Sequence, residues 1–419
     1  MVKLRKFRGY LANKDDVDKI ISPPYDVCSI KEAREETGDN DMYYYHINKP
    51  GIDLPDDATN EEIANKGKEN LESFIEKGYL VRDEKERIYI YSQQLGDHLQ
   101  FGIMALASID DYDSGKIKKH EHTLPEVELE RTNLCDTQCA NAGPVFYSFR
   151  EKEDIVKKIS EISNEEAYAQ VTTKDGVVHT LWKCSEEDSN WIVTAFEEVD
   201  SLYIADGHHR SAAAYNVGKR RREREIAAGK EVTGNESFNF FMTVIFPADQ
   251  TKILPYNRLL NTLNDMTEEE FLEKVRKNFD VEEIKGDDYE AKEAGHISMY
   301  LGEAWYDLQL KQELLREEVS LNLDYTVLTD FLFKDIMGIE NIKKDGRVEF
   351  VGGGRGIDYL VKRCGEDCKA AFVMHPVKMD DLFAVADACE IMPPKSTWFE
   401  PKLRSGFVVN VFEKELGLI

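Results

Sequence analysis

An acid, a glycine, two imidazoles and a guanidinium stand in a row at Asp206-Gly207-His208-His209-Arg210. They follow the apolar run "YIA" and precede "SAAAY", a pattern that predicts a short buried strand handing over to a helix. The first N–H groups of a helix lack an intrahelical acceptor, and the helix dipole favours an anion beside them. Gly207 has no Cβ to block close approach. Arg210 presents a fork of donors suited to phosphate oxygens, and His208 and His209 add donors that titrate near neutral pH. Asp206 can cap the helix, bind Mg²⁺ or take a proton. Together they form a candidate phosphate cradle; the plainer reading is a helix start with solvated His and Arg.

Phosphoryl transfer also needs a group that orients or deprotonates the acceptor hydroxyl. The best candidate lies in "KKHEHT" (118–123), where Glu121 stands beside His120. If this segment is extended, His120 and His122 share one face and Lys119, Glu121 and Thr123 the other. The H-x-H pair, joined by Asp206 or His208, is alternatively a metal site, and an exposed charged loop is the plainer choice. Arg131 in "ERTNL" is a candidate for a phosphate or a carboxylate, against a surface ion pair with a neighbouring Glu. In "MPPKSTWFEPKLRSG" (392–406), Lys395, Ser396 and Thr397 are candidate pocket contacts, and Lys402 and Arg404 add positive charge. The plainer reading there is a loop that packs Trp398 and Phe399.

Three further signals are given structural readings. "GGGRG" (352–356) lacks the Lys-Ser/Thr of a P-loop and predicts a tight turn before a helix. "CDTQC" (135–139) and "CGEDC" (364–368) are C-x₃-C pairs, read as neighbours on a helix face rather than as a shared zinc site. "KRRRERE" (219–225) is read as a solvated helix face laced with i,i+4 ion pairs.

The stretch "ADGHHR" resembles the signature of an uncharacterised bacterial and archaeal family related to the ParB/sulfiredoxin-like superfamily, where a G-x-x-R turn holds nucleotide phosphates. "PPYDV", "HEHT", "LPYNR" and "MPPKSTWFEPKLRSG" extend the resemblance over most of the chain. His208 occupies the position of the reactive Cys of sulfiredoxin, so thiol chemistry is not implied. The G-H-x-R form is most similar to the free serine kinases of the superfamily. That resemblance implies a nucleotide-dependent phosphotransferase acting on a small hydroxyl substrate, L-serine to O-phosphoserine, with ATP or ADP and Mg²⁺. It implies that Gly207, His208, His209 and Arg210 hold phosphates, with His209 and Arg210 neutralising the moving charge. Glu121, beside His120, would be the base, and Asp206 would hold Mg²⁺ or position a His. Arg131, Lys395, Ser396 and Thr397 would contact substrate or phosphate. Two alternatives stay open: a ParB-like nucleotide-binding regulatory module without fast turnover, and a metal-dependent hydrolase using His120, His122, Asp206 and His208.

These residues need a scaffold, and the chain is long enough to build one. It has 419 residues, 42% of them hydrophobic, with 19 Tyr and 20 Phe. The net charge of −27 argues against nucleic acid and anionic membranes as partners, so an anionic ligand must be held by a local basic pocket. Seven Cys, no signal-peptide pattern and no apolar run of membrane-spanning length fit a cytoplasmic protein. Thr59 with Glu62 predicts a capped helix start. Hairpins are predicted around "GDH" (96–98) and "KDG" (174–176), and strands at "GPVFYSF", "SLYIAD" and "FNFFMTVIFPA". Residues 116–134 read as a polar segment. Hairpins outnumber strand–helix–strand units, so the expected class is α+β with largely antiparallel sheets around a ParB/sulfiredoxin-like core, plus further α/β elaborations. The expected organisation is an N-terminal region 1–260 holding the core and a C-terminal region 261–419 whose Lys395–Thr397 segment returns to the site.

Overall fold

Apolar and alternating runs assemble one nine-stranded sheet. Its strands are β1 (Leu4–Arg5), β2 (Tyr89–Leu95), β3 (His98–Ser108), β4 (Ile117–Lys118), β5 (Val145–Phe149), β6 (Ala169–Thr172), β7 (Val178–Lys183), β8 (Leu202–Asp206) and β9 (Phe240–Pro247). They lie in the order β4-β8-β5-β9-β3-β2-β7-β6, with β1 also paired to β3. Only β4–β8 and β5–β9 are parallel; the other pairs are antiparallel. The hairpins expected at 96–98 and 174–176 form as β2–β3 and β6–β7. The chain is a mixed α+β protein with several largely antiparallel sheets.

The computed structural model describes residues 1–286, 289–393, 395–412 and 417. Its contacts cluster into two units: Met1–Lys119 with Thr123–Thr251 and Pro401–Ile419, and His120–His122 with Lys252–Glu400. Among the described residues no helix is long and apolar enough to cross a membrane.

In the first unit, Ile90, Ile103, Tyr147, Ile204, Phe241 and Ile245 of the sheet join one buried core with helix residues such as Ile155, Ile192, Phe196 and Ala212. Two helices matter for the site: α1 (Pro125–Gln138) and α2 (His208–Ala227). A third helix, Asn60–Glu76, begins with the expected capping box, Thr59 and Glu62 each bonding the other's backbone N–H. It approaches α1 closely at Gly67, where a Cβ would lie 2.5 Å from Gln138 Nε2 and 2.9 Å from Leu134 Cδ1. A residue with a side chain there would push α1 away.

The second unit holds a six-stranded antiparallel sheet. The helix Gly356–Glu366 packs Leu360 into its core with Leu259, Trp305 and Val373. The "GGGRG" segment is a short 3₁₀ turn leading into that helix.

The returning segment after Pro401 is anchored to the first sheet by a buried polar network. Arg404 Nε donates to His179 Nε2 at 3.3 Å, and His179 Nδ1 lies 2.6 Å from the Tyr91 hydroxyl. An imidazole whose Nε2 accepts must carry its proton on Nδ1, so His179 donates to Tyr91. Gln93 Nε2 donates to the Lys402 carbonyl at 2.9 Å. Burial, and then the Arg404 cation, push the His179 pKa down to about 3.

A histidine in the unfolded chain titrates near 6.5. As pH falls below that value the unfolded state takes the proton first, so stability is full above about pH 6.5 and falls towards pH 3. Urea midpoints measured between pH 7 and 5 should drop for the wild type. The drop should be smaller for His179→Gln; an identical slope would show that this imidazole is not held neutral.

Candidate functional site

β8 ends at Asp206 and α2 begins at His208, as the sequence pattern predicts. The hinge is Gly207, with φ 100° and ψ 33°. A Cβ at Gly207 would also lie 3.1 Å from Val145 Cγ1 and 3.2 Å from Arg210 Nε. No side chain caps α2, and its first turn carries no acid. The turn is braced from below: Ser211 Oγ donates to the Gly207 carbonyl at 3.0 Å and lies 2.8 Å from the Tyr147 hydroxyl. The N-cap residue of α2 thus contributes no capping side chain, and the Arg210 guanidinium folds back beside Gly207.

Three charges converge beside this turn. Asp206 Oδ2 lies 3.4 Å from Lys402 Nζ and 3.6 Å from Arg210 Nη2. Burial alone would raise the Asp206 pKa, but the Lys402 and Arg210 cations outweigh it and hold the carboxyl well below the usual range. Arg210 Nη1 donates to the Pro144 carbonyl. Asp206 therefore works as the counter-charge that fixes Arg210 and Lys402. This donor set does not suit a resident Mg²⁺, because two cations already occupy the carboxylate. Among the described residues no three His, Cys, Asp or Glu side chains gather into a group that could hold a metal ion.

His208 is buried. His209 Nε2 accepts the Leu124 N–H at 2.9 Å, so the ring is neutral at that nitrogen. Leu124 is the N-cap residue of α1. The residues read as a polar segment at 116–134 in fact end in this helix, which has Pro125 in its first turn and no clear apolar stripe. α1 is held to α2 by polar pairs along its length. Asn216 Nδ2 donates to Glu128 Oε1 at 2.7 Å, Arg220 Nη1 to Asn133 Oδ1 at 2.9 Å, and Arg221 Nε to Asp136 Oδ1 at 2.8 Å. Arg224 reaches the other Asp136 oxygen at 2.9 Å. The 219–225 run is solvated at Lys219, Glu223 and Arg224, as read, but Arg221 is buried and pairs with Asp136 on the neighbouring helix rather than at i,i+4.

Between α1, α2 and the segments carrying Tyr25 and Asn48 lies a cavity of about 60 Å³. Arg131 and Arg210, both expected to meet an anion, line it together. Arg131 is buried, with its guanidinium 4.1 Å from the centre of the Tyr25 ring and Nη1 donating to the Asn48 carbonyl at 3.0 Å. Its Nη2 pairs with Glu130. Burial and then Asp26 raise the Tyr25 pKa, against Arg131 and Arg210, so the phenol stays protonated. Tyr25, Asn48 and Gln138 were not singled out by the sequence reading. The available signal was "PPYDV", which carries Tyr25; Asn48 lies in a stretch read as a loop.

The remaining candidates belong to the second unit. The segment 119–123 is irregular, and His120 is buried while His122 is exposed, so the two imidazoles do not share a face. The strand ends at Lys118, and the His120 carbonyl is taken by the Met392 N–H at 2.8 Å. Glu121 is half-buried. Lys395 is exposed at φ 58°, and its carbonyl accepts from Arg258 Nη2 at 3.0 Å. Ser396 is buried with its hydroxyl donating to the Pro393 carbonyl at 2.7 Å, and Thr397 is half-buried. Pro394, in the same segment, lies outside the described residues. All seven cysteines are free thiols; Cys135 lies in α1 and Cys139 is its left-handed C-cap.

A family model described as "Protein of unknown function (DUF1015)" matches residues 4–327. No curated protein matches. Among solved structures, a free serine kinase in complex with AMP is 15% identical, with 75% of this chain and 93% of that chain covered and a TM-score of 0.37. SbnI with a C-terminal truncation, from Staphylococcus aureus, is 12% identical, with 72% and 85% covered and a TM-score of 0.38. A conserved hypothetical protein from Pyrococcus furiosus is 12% identical, with 75% and 97% covered and a TM-score of 0.36. Likeness at this level assigns neither ligand nor reaction to this chain.

The turn geometry makes its own prediction. Gly207→Ala forces a Cβ into a left-handed conformation and towards Val145 and Arg210. It should cost about 1–3 kcal/mol of stability, read as a lowered urea midpoint with unchanged slope; a loss within error would mean the turn relaxes.

Proposed function

The chain belongs to the DUF1015 family of proteins of unknown function, and from that footing we propose that it is a nucleotide-dependent phosphotransferase acting on a small hydroxyl substrate, free L-serine being the best candidate. The observation that carries the reading is the open head of α2, where Gly207 leads into His208, His209 and Arg210 with no capping side chain. Backbone amides and a fixed guanidinium are what a terminal phosphate needs. The similarity of "ADGHHR" to the free serine kinases supports nucleotide as the anion and serine as the acceptor.

In this reading the phosphates of ATP or ADP rest on the amides at the head of α2. Arg210, held by Asp206 and Pro144, supplies positive charge as the terminal phosphoryl moves. Lys402, held on the same Asp206 oxygen as Arg210, adds to the field. His209 acts as a positioning residue, because its Nε2 is engaged by Leu124. A new P–O bond forms to the substrate hydroxyl oxygen, the bond from that phosphorus to the bridging oxygen of the nucleotide breaks, and the hydroxyl proton is taken up. The sequence resemblance gives that proton to Glu121, which stands three residues before Leu124 in the chain. Mg²⁺ carried in with the nucleotide would neutralise phosphate charge.

Incubation with ATP, Mg²⁺ and L-serine should yield O-phosphoserine, detected by mass spectrometry. Glu121→Gln should lower turnover by about 10²–10⁴-fold. Nucleotide should raise the melting temperature of the wild type and leave Arg210→Ala nearly unmoved. A chain that no nucleotide stabilises would sink the proposal.

A further inference from the structure

The chain opens on a basic run in an acidic protein. Arg5, Lys6 and Arg8 stand close together, and no acid precedes Asp15, against a net charge of −27. The backbone of this run is pinned at three points. Arg5 pairs with Leu106 of β3, Phe7 exchanges backbone hydrogen bonds with Arg87 at 3.1 and 3.0 Å, and the Gly9 N–H donates to the Tyr89 hydroxyl at 3.1 Å. Arg5 and Arg8 both line a hollow of about 480 Å³ within the first unit.

Neither arginine has a carboxylate partner among the described residues. Arg5 Nη1 donates to the Asn235 carbonyl at 2.6 Å, and its guanidinium lies 5.2 Å from the centre of the Phe240 ring. The Arg8 guanidinium makes no hydrogen bond or ion pair with any described residue, and its Nε is buried. A charged group that loses water without gaining a partner costs free energy. The acids at the hollow do not relieve it. Glu225 is taken by Lys230 at 2.8 Å. Glu236 accepts from the Thr233 and Gly234 N–H groups at 2.7 and 3.0 Å and from Asn239 Nδ2 at 2.6 Å. Glu86 is exposed, and no ion pair links it to either arginine.

Size and walls narrow the ligand. The hollow falls in the ~300–1,000 Å³ range of small-molecule sites. Polar and apolar atoms share its wall evenly, and Leu106, Phe238 and Val411 contribute to the apolar part. A carboxylate offers two oxygens and one charge, enough for one guanidinium fork. A phosphate monoester offers three terminal oxygens and nearly two charges, enough for two forks at once. The hollow is also remote from the turn at Gly207. Glu225 lies near the other end of α2, about 27 Å along the helix at 1.5 Å per residue.

We propose that the hollow beside Arg5 and Arg8 is a binding site for a small organic phosphate, separate from the head of α2. The phosphate rests on the two guanidinium groups and the carbon part meets Leu106, Phe238 and Val411. Glu86 is left to accept from a hydroxyl of the same ligand. None of this depends on the phosphotransfer reading.

The test is calorimetric titration of the full chain with glycerol 3-phosphate, glucose 6-phosphate, glucose and citrate. At least one of the two phosphates should bind, and glucose should not. Arg8→Gln should weaken that phosphate about tenfold or more, the loss expected for charge-assisted hydrogen bonds. Arg210→Ala should leave it unchanged. Because Arg8 has no protein partner, Arg8→Gln should keep or raise the urea midpoint, so lost binding is separated from lost folding. A lowered midpoint would give Arg8 a structural role and overturn the proposal. Binding of neither phosphate overturns it too, as does citrate binding as tightly, or binding that Arg210→Ala abolishes and Arg8→Gln spares. Stabilisation by ATP should survive Arg8→Gln, so failure at this hollow leaves the reading of the Gly207 turn standing.

Discussion

The buried ion pair between Arg221 of α2 and Asp136 of α1 sets the register on which the site depends. α1 carries Arg131 and Gln138, and α2 carries Arg210. A shift of one helix along the other by a residue, 1.5 Å, would part these side chains. Apolar packing alone tolerates such slips, because one methyl resembles another. A charge pair taken out of water does not: leaving either partner alone costs about 3–5 kcal/mol. Asn133 with Arg220 and Glu128 with Asn216 repeat the constraint along the interface, and His209 with Leu124 closes it at the cradle end. Gly67 sets the third side by letting the helix Asn60–Glu76 lie against Gln138.

Electrostatics works at two ranges. The net charge of −27 repels anions approaching the surface, and salt screens that repulsion beyond a Debye length of about 8–10 Å. Attraction must come from groups near the ligand, and Arg131, Arg210 and Lys402 supply it. Asp206 looks opposed to anion binding, yet its ionised carboxylate is what keeps Arg210 and Lys402 in place. The field at the head of α2 is then the sum of two ordered cations, one ordered anion and the helix dipole. Lys402 is itself placed by distant anchors, since Arg404 two residues on is clamped by His179 and Asp175.

The strand, the glycine and the helix at 202–227 were legible because each obeys a local rule: a continuous apolar run, then a residue free of Cβ, then small helix formers. The hairpins and the Thr59–Glu62 capping box were legible for the same reason. α1 was not, because its partners are polar. Its inward residues Arg131, Asn133 and Asp136 meet amides and guanidinium groups of α2 and the Asn48 segment, so no apolar stripe marks the buried face. Arg221 in the 219–225 run was misread by the same logic, since it is buried through a partner more than eighty residues away. His120 and His122 share a face only if the chain stays extended, and it leaves the sheet at Lys118. Asn48 and Gln138 show no sequence signal; only the fold brings them to the cavity that Arg131 and Arg210 also line.

How the chain starts its helices separates the cradle from ordinary structure. Ser29, Thr59, Ser185 and Thr267 each fold a hydroxyl over the first turn of a helix, and acids follow in those turns. Those starts are neutralised from within the chain. α2 lacks a side-chain cap, as do the helices Pro125–Gln138, Glu153–Ser163, Gly356–Glu366 and Met379–Asp387, but unlike them it has His208, His209 and Arg210 where they carry acids. Gly207 also accepts a left-handed backbone that leaves its neighbours' amides clear. A helix of twenty residues with no acid in its first turn and no capping side chain at its N-cap leaves its dipole uncompensated by either of those devices. From the same turn Arg210 reaches back to the Pro144 carbonyl and lines the adjoining cavity with Gly143 and Val145.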